Sequence, residues 1–231
     1  FVVVVVGGMG SIPGAYAAAL LISEIKAICI WLGVVDVFGL SVSFSKLTLV
    51  VDFLVMAVVL VWRPWGLFGR PQAPSRYVGM QEEPLRRPGK AYLVAAAVLG
   101  LLLAAAPVLT AQSPYTTVLL IDLLIAALFA ASLHFIMGPA GMHSFGHAAY
   151  FGLGAYGAAL LVRSLGLPME VALVVAPLVA AVGAFVYGWF AVRLSGVYLA
   201  MLTLAFAQIT WAITYQWDSF TGGSNGLTGV W

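Results

Sequence analysis

Residues 135–156 read Phe-Ile-Met-Gly-Pro-Ala-Gly-Met-His-Ser-Phe-Gly-His-Ala-Ala-Tyr-Phe-Gly-Leu-Gly-Ala-Tyr, a polar, glycine-rich stretch between two hydrophobic segments. Irregular backbone at membrane depth is tolerated only where protein buries it or where it lines a water-filled cavity. Broken hydrophobic segments of this kind point to the substrate path of a membrane transporter. The stretch therefore predicts both a membrane fold and the place where its function lies.

The composition of the whole chain supports the same class. Of its 231 residues, 63% are hydrophobic and only 8% are charged, and the mean hydropathy is +1.09. Soluble domains carry about 25% charged residues. The net charge of +2 is too small to indicate a nucleic-acid partner. We predict an all-α, polytopic transmembrane helical bundle embedded in membrane lipid.

About seven hydrophobic segments are long enough to span or nearly span a bilayer, which takes about 20 residues. They lie at roughly 14–36, 44–61, 91–110, 116–137, 146–163, 168–192 and 196–217. The intervening stretch 62–90 carries six of the ten basic residues and five prolines, so we predict a cytoplasmic, extended linker. Counting spans from that linker places the end of the 196–217 segment outside the cell.

Two histidines and a serine in the broken stretch allow several interpretations. His143 and His147 stand four apart, as metal ligands on a helix face can, but no Cys, Asp or Glu is near in sequence, so we predict no metal site. Ser144 lacks the Gly-x-Ser-x-Gly context of a hydrolase nucleophile. Two roles stay open for Ser144 and His147: hydrogen bonding between helices, or lining the transport path.

The glycine-rich stretch 221–229, Thr-Gly-Gly-Ser-Asn-Gly-Leu-Thr-Gly, follows the last span. Its backbone amides can form an anion-binding nest, or the stretch can be a plain turn. It lacks the Gly-Lys-[Ser/Thr] ending of a phosphate-binding loop, so the chain shows no ATP site of its own. No catalytic constellation assembles from the eight acidic residues and three histidines, and we predict a protein that is not an enzyme.

Three ordered motifs carry a resemblance to a known family. The run 138–156, the run 193–206 (Arg-Leu-Ser-Gly-Val-Tyr-Leu-Ala-Met-Leu-Thr-Leu-Ala-Phe) and the run 221–229 resemble the permeases of branched-chain amino acid ABC transporters. Together they cover about 116–231. The position of His143 usually holds an aliphatic residue in that family.

The front of the chain has a separate resemblance. The run 6–15 (Val-Gly-Gly-Met-Gly-Ser-Ile-Pro-Gly-Ala) and the run 62–69 (Trp-Arg-Pro-Trp-Gly-Leu-Phe-Gly) are similar to motifs near the C-terminus of such permeases. We interpret 1–61 as a C-terminal membrane segment of one permease unit, 62–90 as the linker, and 91–231 as the N-terminal half of a partner permease. A genuine fusion and an artefactual join of two neighbouring genes both remain open, with both outer halves absent from this chain.

The resemblance implies a permease subunit of an ATP-driven importer for branched-chain or related amino acids in the bacterial inner membrane. It implies no cofactor on this chain, with ATP bound by separate ATPase subunits, a substrate-binding protein outside the cell, and a second permease unit. The ABC-importer hypothesis has one alternative, a secondary transporter or channel for small amides such as urea. The residues expected to line the substrate path are Gly141, Ser144, Gly146, His147, Tyr156, Tyr198, Thr203, Gly222, Gly223 and Asn225.

Overall fold

A computed structural model describes residues 1–37, 40–70, 89–110 and 113–229. The front of the chain begins with two helices and a short antiparallel hairpin, followed by two more helices. Their bounds are α1 (Val2–Gly7), α2 (Ile12–Leu32), β1 (Val34–Val37), β2 (Leu40–Ser43), α3 (Phe44–Leu47) and α4 (Val51–Trp62). In the hairpin, Val34 pairs with Ser43 and Val37 with Leu40.

The rest of the described chain is helical. The helices are α5 (Lys90–Leu109), α6 (Pro114–Met137), α7 (His147–Leu165), α8 (Met169–Ala191), α9 (Gly196–Gln216) and α10 (Asp218–Thr221), with a 3₁₀ turn at Gly223–Asn225. Within the described residues, five helices are long and apolar enough to cross a membrane, namely α2, α6, α7, α8 and α9. The prediction of an all-α, polytopic bundle is confirmed, with the hairpin as the one addition that the described residues show.

The predicted span 44–61 is not one helix. Its first part forms α3, a turn follows, and α4 contributes only 12 residues, or about 18 Å, against the roughly 30 Å of a bilayer core. A turn at residues 48–50 separates the two helices, and the Thr48 hydroxyl donates there to the carbonyl of Ser45 (2.7 Å). The preceding span also stops early, at Leu32, because Gly33 takes a positive φ of 59° that ends α2.

The two glycine motifs at the front of the chain meet in space. After α4 the chain folds back on α1, where Leu67 N–H donates to Val6 (2.8 Å) and Phe68 N–H to Gly7 (3.0 Å). Gly7 faces Gly14 at the start of α2 so closely that a Cβ on either would overlap the other's backbone. The glycines of both motifs therefore serve close backbone packing.

The chain packs as two units, one of residues 1–72 with 133–231 and the other of residues 73–132. In the first unit, α4 and α9 bury their side chains against each other, with Met56, Leu60 and Leu202 almost fully enclosed. The predicted segment 1–61 thus shares a core with the last membrane helix of segment 91–231. The fusion hypothesis itself stays a prediction.

The second unit holds α5 and most of α6. Its two helices are joined at their turn by the hydroxyl groups of Thr110 and Thr117, whose oxygens are 2.9 Å apart. The predicted basic, proline-rich linker falls mainly on 71–88, which lie outside the described residues.

Candidate functional site

The glycine-rich stretch forms the predicted break between two membrane helices. Helix α6 ends at Met137, nine residues without helical structure follow, and α7 begins at His147. Within the break Gly141 takes a positive φ of 62°, and Met142 N–H returns to the carbonyl of Ile136 (3.1 Å). The side of Gly141 is open, and no atom lies within 4 Å of a Cβ placed there.

One residue of α9, Thr203, anchors the C-terminal end of the break. The buried Thr203 hydroxyl accepts a hydrogen bond from Phe145 N–H (3.1 Å) and donates to the carbonyl of Ala200 (2.7 Å). The adjacent Gly146 lies against the backbone of Thr203, where a Cβ would overlap the Thr203 carbonyl. Two residues of the predicted site, Gly146 and Thr203, are thereby brought into direct contact.

Ser144 and His147 flank this contact. The Ser144 side chain is 8% exposed, and its Oγ has no hydrogen-bond partner among the described residues. The His147 ring lies edge-on to Tyr150, with ring centroids 6.3 Å apart. Within the described parts of the chain, no three His, Cys, Asp or Glu side chains come together as a metal site would require.

A cavity of about 490 Å³ lies between α7 and α9, next to this anchored loop. Its volume is in the range typical of small-molecule sites. The wall from α7 is mostly small or apolar, whereas α9 contributes amide, hydroxyl and aromatic groups. The lining residues are Phe145, Ala148, Ala149, Gly152, Leu153, Tyr156, Leu204, Ala207, Gln208, Thr210, Trp211, Thr214, Tyr215 and Gly223.

Only part of the predicted set lines this cavity. Tyr156 and Gly223 do, whereas Tyr198 is buried in the core beside α4. Gly222 and Asn225 belong to the turn that carries Gly223. Gly141, Ser144, Gly146, His147 and Thr203 lie in the break and its anchor, and none of the five lines the cavity.

Sequence reasoning missed the polar residues that α9 contributes, namely Gln208, Thr210 and Thr214. The signal was present, because these polar residues interrupt an otherwise apolar span. Thr210 also links α9 to α8. Its hydroxyl donates to the carbonyl of Phe206 (2.8 Å) and lies 2.6 Å from the Tyr187 hydroxyl, which is then the donor in that pair.

The glycine-rich stretch 221–229 also reaches the cavity, through Gly223. The Thr221 hydroxyl lies within hydrogen-bond reach of the carbonyls of Thr214 and Trp217, and this holds α10 against the end of α9. Gly222 and Gly223 then take positive φ values of 76° and 55°. This turn brings Gly223 to the cavity wall, so the 221–229 motif contributes backbone to the site.

The part of the chain that contains the break and the cavity is similar to known transport proteins. The family described as "Branched-chain amino acid transport system / permease component" matches residues 115–230, which include α7, α9 and the break. The chain is 33% identical over 107 residues to the high-affinity branched-chain amino acid transport system permease protein LivM of Escherichia coli, covering 46% of this chain and 25% of that protein. LivM of Salmonella typhimurium shows the same identity and coverage.

A third relative is BraD of Pseudomonas aeruginosa, a high-affinity branched-chain amino acid transport system permease protein, 40% identical over 72 residues. That alignment covers 31% of this chain and 20% of BraD. The chain thus spans about a quarter or less of the length of the curated relatives it matches. No solved structure matches it significantly.

Proposed function

We propose that the protein acts as a transmembrane permease subunit of an ATP-driven importer, because the chain belongs to the family of branched-chain amino acid transport permeases. Its substrates would be branched-chain or related amino acids, and its place the bacterial cell (inner) membrane. The observation that carries the proposal is the coincidence of the family match with the cavity, since the matched residues include every residue of the cavity wall.

The cavity supports this function through its position. Helix α9 is a membrane-length helix, and its cavity-lining residues run from Leu204 to Tyr215, about 16 Å along the helix axis. That length is about half of a bilayer core. A solute could therefore occupy the space between α7 and α9 well inside the membrane, where transporters commonly bind their substrates.

The break before α7 would provide a fixed point about which α7 moves during transport. Phe145 and Gly146 hold the start of α7 against α9 through their contacts with Thr203. The α7 residues that line the cavity, from Ala148 to Tyr156, follow this anchor in the chain. Movement of α7 about this anchor would change the width of the cavity. Alternating access needs such a two-state element, and a partner shifts its equilibrium only by binding one state more tightly.

The partners would be two ATPase subunits on the cytoplasmic side, a substrate-binding protein outside, and a second permease unit. The described chain would contribute the solute path, and ATP would be hydrolysed on the ATPase subunits. The test is reconstitution of the complete transporter, from the full gene and its partners, into vesicles. L-leucine uptake should require ATP and the substrate-binding protein, and permease without its ATPase subunits should hydrolyse no ATP.

A control separates this function from its alternative. Uptake should stop when ATP is replaced by a non-hydrolysable analogue while ion gradients are kept. If uptake of leucine or urea continues with gradients alone, the protein is a secondary transporter or channel, and the ABC-importer proposal fails.

A further inference from the structure

Gln208 lies close to the middle of a membrane-length helix. Helix α9 runs from Gly196 to Gln216, so its central residue is Phe206, two positions from Gln208. A side-chain amide at this depth loses its hydrogen bonds to water, and that loss is costly unless a partner replaces them. A partner for Gln208 is therefore needed when the helix is in the bilayer.

The described residues supply no such partner. The hydroxyl groups of Thr210 and Thr214, which follow Gln208 on the same helix, donate to the carbonyls of Phe206 and Thr210. The Gln208 amide, in contrast, makes no hydrogen bond within the described chain and lines the cavity. It offers two N–H donors and a carbonyl acceptor to whatever occupies that space.

The rest of the wall restricts what the occupant can be. Among the residues that the structure describes, no Asp, Glu, Lys, Arg or His side chain lines the cavity. A solute with a net charge would therefore enter without a counter-charge, at a high desolvation cost. Helix α7 lines the same cavity with the small residues Ala148, Ala149 and Gly152, which leave room for an aliphatic group.

We infer that Gln208 is the specificity-determining residue that recognises the polar end of the transported solute. The amide N–H groups donate to the carboxylate of a zwitterionic amino acid, and the amide carbonyl accepts from its ammonium group. The aliphatic side chain of the solute then packs on the small residues of α7. This inference rests on the proposed function and names the group that would bind the substrate in it.

The test uses Gln208→Leu in the complete transporter. Leucine is close to glutamine in size but has neither donor nor acceptor, so L-leucine uptake at low concentration should fall about tenfold or more, the effect of losing hydrogen bonds to charged groups. Binding of radiolabelled L-leucine to the purified membrane complex, measured without the soluble substrate-binding protein, should weaken by a similar factor. ATP hydrolysis without substrate and the amount of complex in the membrane should stay at wild-type levels.

Gln216→Leu is the matched control. Gln216 lies on the same helix, but its amide donates to the carbonyl of Lys46 (2.9 Å) and does not line the cavity. This variant should keep wild-type uptake and leucine binding. If both glutamine variants lose uptake equally while leucine binding is unchanged, Gln208 has a structural role and the inference is overturned.

A second variant keeps the test possible if Gln208→Leu is not inserted into the membrane. Gln208→Glu keeps the size of the side chain but places a negative charge where the solute carboxylate would lie, so leucine binding should fall at least as far. Wild-type leucine binding in either variant refutes the role of Gln208 and leaves the importer proposal standing. Loss of ATP-dependent uptake in the wild-type complex would instead refute the importer proposal.

Discussion

The backbone of Gly146 lies directly against the carbonyl of Thr203, with no room between them for a Cβ atom. The two residues are far apart in sequence, one at the end of the break before α7 and the other in α9. Their contact sets the distance between the helices that wall the cavity. Glycine is required at position 146 because of this approach, and the neighbouring Phe145 N–H completes the anchor on the Thr203 hydroxyl.

Gly146→Ala should weaken this anchor. The added methyl group must push α7 away from α9, and overpacking of this kind costs about 1–3 kcal/mol. We expect a lower midpoint of detergent-induced unfolding and reduced uptake by the complete transporter. Gly188→Ala is the control, because no atom lies within 4 Å of a Cβ there and alanine favours the helix. An unchanged unfolding midpoint for Gly146→Ala would contradict this prediction, because it would show that α7 and α9 can separate at position 146 without loss of stability.

The contact between α7 and α8 gives a second prediction, with a compensating change. A Cβ at Gly157 would lie 2.9 Å from the Cβ of Val179, which is too close for two carbon atoms. Gly157→Ala should therefore lower stability by about 1–3 kcal/mol. Val179→Ala keeps the Val179 Cβ but removes its two Cγ methyl groups, which would lie 3.0 and 3.2 Å from the new Cβ, so it should restore part of that loss in the double variant. Equal losses in the single and double variants would contradict a clash with the Val179 methyl groups.

The topology can be tested by thiol labelling. Lys46 Nζ in α3 lies 3.9 Å from Asp218 Oδ2 at the start of α10, so α3 and α10 should lie on the same side of the membrane. If the basic linker is cytoplasmic and 91–110 is a span, as predicted from the sequence, counting spans puts that side outside. After Cys29→Ala, a membrane-impermeant thiol reagent added from outside should label Ser45→Cys and Ser224→Cys and leave Arg70→Cys unlabelled. Labelling of Arg70→Cys in intact cells would reverse the orientation.

An ion pair between two helices of the first unit supplies a fourth prediction. Lys26 Nζ on α2 lies 2.8 Å from Asp52 Oδ2 at the start of α4, and both side chains are about a third exposed. Asp52→Asn should lower stability by about 1 kcal/mol, because it leaves the lysine without its counter-charge. Adding Lys26→Met should recover most of the loss by removing that charge. A double variant less stable than Asp52→Asn would contradict this pairing.

Helices and breaks could be predicted from the sequence where they depend on residues only a few positions apart. Gly138, Pro139 and Gly141 cannot continue a helix at low cost, so the break after α6 follows from residues a few positions apart. The apolar runs of α6, α8 and α9 likewise predict membrane helices by length alone. The span 44–61 was predicted as a single span because its average hydropathy is high, whereas the structure divides it by a turn at residues 48–50.

Partners far apart in sequence could not be predicted in this way. The amide of Gln216 meets the carbonyl of Lys46 across 170 positions, and no local pattern indicates that contact. The sequence likewise did not indicate that Gln208 lines the cavity beside Tyr156. The expectation that Ser144 and His147 line the substrate path stays a prediction. Helical periodicity shows which residues share a face but not what that face touches.

The sequence by itself determined the membrane class, the long helices, the break before α7 and the family resemblance, because hydropathy, glycine and proline act over a few residues. Only the tertiary structure decided which polar groups meet. It placed Thr203 under Gly146 as a packing anchor and turned Gln208 toward the cavity, although both lie on the same helix. The sequence of a helix shows which side chains share a face, but their role depends on the helix that packs against that face. That packing is set by contacts between distant parts of the chain.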